Sequence, residues 1–131
     1  MTDVLPLMAA AAFVLVAACL ALDIGTHWRG RWLAPAALAA AFAAFSLLAV
    51  LCEGPFGFWP EHTRNLWGNQ IWFDLLLAVG VSLTWLLPRA RALGMSALLW
   101  AVLVLCTGSI GLCALMARVL YLEQSAGKAG K

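Results

Sequence analysis

Charge is what this sequence has least of. Only 11% of its residues are Asp, Glu, Lys or Arg, while 65% are hydrophobic. A soluble domain is roughly a quarter charged and half apolar. With 131 residues the chain is long enough for one domain but too short to hide that excess in a core, so its natural solvent is lipid. The net charge of +2, carried by basic residues scattered without a stripe or run, argues against a nucleic-acid partner.

Other absences narrow the chemistry. There is no CxxC pair. Cys19, Cys52, Cys106 and Cys113 lie in or at the ends of apolar runs, which suits packing better than redox work. His27 and His62 both fall between apolar runs, so no span offers a haem ligand, and no cofactor is expected. His62 with Cys52, Glu53 and Glu61 matches no zinc spacing, and no metal is expected. There is no phosphate-binding glycine loop and no DxxD pair. The hydroxyls of Ser46, Ser82, Thr84, Thr107 and Ser109 have no neighbouring histidine to make one a nucleophile. No basic residue precedes the first apolar run, only Asp3, so a cleaved signal peptide is disfavoured.

What is present is apolar length. Four stretches, at about residues 4–24, 34–51, 71–87 and 97–120, each approach the roughly 20 residues needed to cross about 30 Å of hydrocarbon. None alternates polar and apolar, which favours helices over a barrel. The expected fold is all-α: an integral membrane antiparallel four-helix bundle, one domain over 1–123, followed by a disordered polar tail at 124–131. Gly25 and Gly54 read as helix stops, Pro88 as the end of the third span, and Asn69 and Ser96 as N-caps. All seven tryptophans lie near a span boundary, the pattern of an interfacial belt. Small residues four apart, Ala36, Ala40 and Ala44 and then Ser109, Cys113 and Ala117, offer close helix contact.

Four crossings place both termini and the loop at 52–70 on one face. The opposite face carries Arg29, Arg31, Arg89 and Arg91, so the positive-inside rule sets that face in the cytoplasm and both termini outside. Arg118, Lys128 and Lys131 run against this assignment.

Asp74 is the polar residue of greatest interest, about one turn inside the third span. A carboxylate there needs a partner or a task. Arg118, near the end of the fourth span, is the expected partner at similar depth, in a structural ion pair or a ligand, proton or ion site. Glu53, Arg64 and Asn69 complete the candidate polar cluster. Glu53 closes a helix, where an acid is disfavoured by the dipole, and Arg64 or Arg118 could neutralise it.

The segment 69–123 resembles a family of small four-span bacterial membrane proteins classed as a domain of unknown function. The resemblance rests on "FDLLLAVGVSLTW" at 73–85, "RARALGM" at 89–95 and "LYLEQ" at 120–124. It carries over to Asp74 with Leu75, and to Arg89, Arg91, Leu93, Gly94 and Met95. The family's proline late in the last span is absent, with Ala117 and Arg118 in that region. The resemblance implies a bacterial inner-membrane protein and supplies no reaction. The leading expectation is a non-catalytic structural or accessory subunit, or a module binding a lipophilic partner. A lipid- or isoprenoid-processing enzyme, or a proton- or ion-coupled transporter working as an oligomer, is the alternative. The bilayer is the expected surrounding, with a membrane-protein partner or further copies of the chain left open.

Overall fold

The computed structural model describes residues 4–24, 28 and 30–129, and the side chains as far as Gly127. Regular structure among these residues is helical: α1 (Val4–Ala21), α2 (Leu33–Glu53), α3 (Phe58–Thr63), α4 (Leu66–Ala92), α5 (Ala97–Thr107) and α6 (Ser109–Ala129). The all-α expectation holds, and α1, α2 and α4 are each long and apolar enough to cross a membrane. The chain divides into two compact units, Met1–Arg31 and Trp32–Lys131.

In the first unit α1 buries none of its residues, as suits a helix solvated by lipid. It ends in a reverse turn at Asp23. The Ile24 N–H donates to the Cys19 carbonyl at 2.8 Å and the Asp23 N–H to that of Leu20 at 3.2 Å, with Asp23 at φ 56°. Asp tolerates this left-handed position better than most residues. The stop thus comes before Gly25, which lies outside the described residues, as does His27.

In the second unit the helix ends follow local chemistry, with three corrections. Ser96 caps α5 by accepting from the Leu99 N–H, as its sequence position suggests. The cap of α4 is Asn65, whose side chain accepts from the Gly68 N–H at 2.8 Å, and not Asn69, which is already helical and donates back to the Asn65 carbonyl. Nor does Pro88 end α4: the helix continues to Ala92. A proline forfeits one backbone bond, but the next turn is held from outside by the burial of Ala90 and by an ion pair from Arg89 to Glu123. α4 stops instead at "LGM". The Gly94 N–H bonds the Arg91 carbonyl at 3.0 Å and the Met95 N–H bonds that of Ala90 at 2.9 Å. With Gly94 at φ 75° this is a Schellman turn, and Leu93 and Met95 pack on the core beside it. The third correction is the tail, where the structure is helical to Ala129 and not disordered from 124. Glu, Gln, Ala and Lys in that stretch are good helix formers.

The largest departure is the fourth span. The apolar run at 97–120 is not one continuous helix. It breaks at Gly108 into α5, of 11 residues, and α6. Eleven residues rise about 16 Å, half of a bilayer core. α6 then returns beside α5. Gly108 sits at φ 59° and ψ −127°, a backbone that glycine adopts without a Cβ clash. One turn on, a Cβ at Gly111 would lie 2.9 Å from the Val104 Cα and 3.0 Å from the Leu103 carbonyl oxygen. The two helices can therefore meet at the turn only with glycine there. Val104 of α5 joins Leu115 and Val119 of α6 and Leu86 and Ala90 of α4 in one buried cluster.

α6 packs against α2, α4 and α5, whereas α2 and α4 do not touch each other. The fold is thus two long helices bridged by a returning one. Apart from Pro35 at the start of α2, its buried apolar residues among those described lie in late α4, α5 and α6. On α2 the small residues turned inward are Pro35, Ala36, Ala39, Ala43, Ser46 and Ala49, while Ala40 and Ala44 are exposed. Small residues do line the α2–α6 contact, on a stripe rotated from the four-residue spacing. α6 ends beside the start of α2, where the rings of Tyr121 and Trp32 meet edge to face at 5.4 Å. The carboxyl-terminal helix therefore does not end on the face of the 52–70 loop, and the expectation that it does is corrected.

In a cysteine-free background, cysteines placed at Arg91 and Ser125 should react together with a membrane-impermeant maleimide, and one at Glu61 should react from the other side. A crossing at 97–120 would group Ser125 with Glu61 instead. Gly111→Val should lower stability to unfolding in detergent by about 1–3 kcal/mol, the usual cost of overpacking. Gly80→Ala, where a Cβ meets nothing within 4 Å, should cost nothing and could add the few tenths that alanine gains over glycine in a helix.

Candidate functional site

The return of α6 creates a groove of about 450 Å³ between α2, α5 and α6, open along one side. Three aromatic side chains stand at its mouth: Trp32 just before α2, Trp100 on α5 and Tyr121 on α6. The floor is small and apolar, with Ala36 and Ala39 from α2 and Ala114 and Ala117 from α6. Each alanine is a place where a larger residue would have closed the space. The one charged group lining it is Arg118, whose guanidinium carbon lies 5.8 Å from the centre of the Tyr121 ring. That is within reach of a cation–π attraction.

Next to the groove, Arg89 of α4 grips Glu123 of α6. Nε and Nη2 donate to Oε1 at 2.9 and 2.8 Å, and Nη2 also reaches Oε2 at 2.8 Å. Fork-to-carboxylate geometry of this kind fixes orientation as well as charge. It holds the exit of α6 against the end of α4, and so holds one wall of the groove in place.

The structure does not bring Asp74 and Arg118 together. Asp74 is exposed, near the start of α4, beside Asn69, Gln70, Phe73 and Leu77 of the same helix. Among the described residues it has no hydrogen-bond or ion-pair partner. Fifteen residues of helix separate it from Arg89, a rise of about 22 Å, and Arg118 lies toward the Arg89 end. The cause is the turn at Gly108, which sends Arg118 back to the end where α5 began. Glu53 ends α2, exposed. Arg64 pairs with Glu61, one turn away, and not with Glu53. Asn69 serves the first turn of α4. Of the five candidate residues, Asn69 and Asp74 lie on one face of early α4, while Glu53, Arg64 and Arg118 are not brought to them.

The loop they border is organised by rings. His62 lies edge-on to Trp72 with centroids 4.7 Å apart, and Phe58 stacks on Trp72 at 6.1 Å. His62 Nδ1 is 2.6 Å from the Phe58 carbonyl oxygen. This packs α3 onto the start of α4. Among the described residues no three of His, Cys, Asp and Glu group as metal ligands. The hydroxyls of Ser82, Thr84 and Thr107 bond their own helix carbonyls at 2.6–2.7 Å.

No family model, curated protein or solved structure matches the chain. What the groove can do must be read from its own residues. It can hold an apolar chain on the alanine floor and present one arginine at the mouth. Among the described residues that line it, none is a carboxylate or a histidine.

Double-mutant cycles should separate the two arginines. Arg89→Ala with Glu123→Ala should show a favourable coupling of up to about 1 kcal/mol in detergent unfolding, the range for a partly exposed pair. Arg118→Ala with Asp74→Ala should be additive within about 0.5 kcal/mol, as for sites with no shared partner.

Proposed function

We propose that this small helical membrane protein is a non-catalytic binding module that holds a lipophilic molecule in the groove between α2, α5 and α6. The observation that carries the reading is the groove itself, whose volume falls in the range of ligand sites and whose walls are aromatic and aliphatic with a single charged group among the described residues. Asp74 and Glu53, the residues a proton carrier or a lipid-processing enzyme would use, lie away from it, which favours binding over turnover. The extensive exposed apolar surface of α1, α2 and α4 suits a bilayer, and also suits docking against a larger membrane assembly as an accessory subunit.

Orientation follows from the returning helix. α6 carries Arg118 and Lys128 toward the end of the second unit where Arg89 and Arg91 lie. The loop at the other end keeps Arg64, already paired with Glu61. The charge bias then points one way, and the groove opens toward the cytoplasmic side. With α1, α2 and α4 crossing, the amino terminus is outside and the carboxyl terminus in the cytoplasm. The bacterial inner membrane is the setting that the resemblance of 69–123 suggests.

Gentle purification followed by native mass spectrometry tests the reading. A lipophilic molecule should stay bound at about one per chain, and Ala114→Phe, which fills the floor, should release it while the protein stays folded. Retention of a protein subunit with no small molecule would sink the binding-module reading in favour of the accessory one.

A further inference from the structure

Arg118 differs from the other described arginines of the second unit that have printed contacts. Arg64 has Glu61 and Arg89 has Glu123. Arg118 is exposed, and among the described residues it has no carboxylate within ion-pair distance, only the face of Tyr121. The nearest acid along α6, Glu123, is already held by both arms of Arg89. The depth of Arg118 is marked by Trp32, Trp100 and Tyr121, which line the same groove. Such rings favour the headgroup level of a bilayer. Below it, Ala114 is one helical turn deeper on α6 and Ala39 lies one turn along α2 from Pro35, so the apolar floor runs from the headgroup level inward.

A cation at headgroup level above an aliphatic slot is the complement of an amphiphile with an anionic head. We infer that the groove selects an anionic glycerophospholipid from the cytoplasmic leaflet, with the phosphate accepting from the Arg118 guanidinium and the first part of one acyl chain on the alanine floor. Guanidinium suits a phosphate because its donors form a planar fork. A zwitterionic lipid fits less well. Its ammonium would come to lie at the end of the second unit that also carries Arg89 and Arg91. This assignment rests on the groove being a binding site, and it adds the sign of the ligand's charge.

The test uses the full chain in nanodiscs of equal phosphatidylglycerol and phosphatidylcholine with matched acyl chains, released gently and counted by native mass spectrometry. The wild type should retain phosphatidylglycerol over phosphatidylcholine by about fivefold, the preference expected of one basic residue near a membrane surface. Arg118→Gln should bring the ratio close to one, and Arg91→Gln, at an exposed arginine outside the groove, should leave it unchanged. An unaltered preference in Arg118→Gln, or an equal loss in Arg91→Gln, overturns the assignment. The wild-type ratio decides by itself should a variant misfold. Retention of both lipids without preference overturns the charge selection while leaving the groove as a site, and retention of neither overturns the groove as well.

Discussion

The contact between α5 and α6 at Gly111 is the constraint on which the second unit depends. With a Cβ at that position the helices would have to separate at the turn, and the separation would carry along α6 to both of its other neighbours. Within the second unit α2 touches α6 alone among the helices, and α2 and α4 do not meet. Without the return of α6, α2 would have no packed face, Val104 would lose Leu115 and Val119, and Arg89 would have no Glu123. Two long apolar helices in lipid gain nothing from hydrophobicity by meeting each other, since lipid tails solvate them as well as leucine does. They are held by shape and by polar contacts, and here both come through one helix.

That arrangement places order unevenly along the membrane normal. The buried cluster, the Schellman turn at Gly94, the bidentate ion pair and the aromatic mouth of the groove all lie at the end where α6 returns. At the opposite end of the second unit, the described residues that pack on α4 are those of the six-residue α3 and its rings. A carboxylate such as Asp74 can sit exposed there without straining the fold, because no described residue of the second unit bonds or pairs with it. The residue that looked most demanding in the sequence is one the structure asks little of.

How far the sequence could be read follows from what each signal averages over. α1, α2 and α4 were legible because a window of apolar residues needs only length. The Ser96 cap and the Gly54 stop were legible because each is a local bond. The fourth run failed because hydropathy averages across a break. "TGSIG" at 107–111 holds two glycines and two hydroxyl residues in the middle of an apolar stretch, which is turn punctuation, yet it barely lowers the mean. Everything downstream of it was then assigned to the wrong end. Depth along a single crossing pairs Arg118 with Asp74, whereas the hairpin brings Glu123 to Arg89. The groove could not be foreseen at all, since alanine and tryptophan become a site only when three helices bring them together.

The basic residues give an independent argument for the return. Under four crossings Arg118 and Lys128 contradict the charge bias set by the loop arginines, and the contradiction has no local explanation. Under three crossings and a hairpin the same residues join that bias. A turn at half depth is costly in its own right, because non-helical backbone in hydrocarbon must find partners within the protein. Several of its groups do. The Gly108 N–H bonds the Val104 carbonyl at 2.7 Å, the Leu112 N–H bonds that of Gly108 at 3.1 Å, and Thr107 covers the Leu103 carbonyl. Residues 107–110 are partly buried and Gly111 fully so. A hairpin inserted to half depth thus shields its own tip with glycine and hydroxyls. It returns a cationic helix to the end where Arg89 and Arg91 lie, and it leaves between α2 and that helix a slot floored by alanine. The slot and the charge distribution have the same cause.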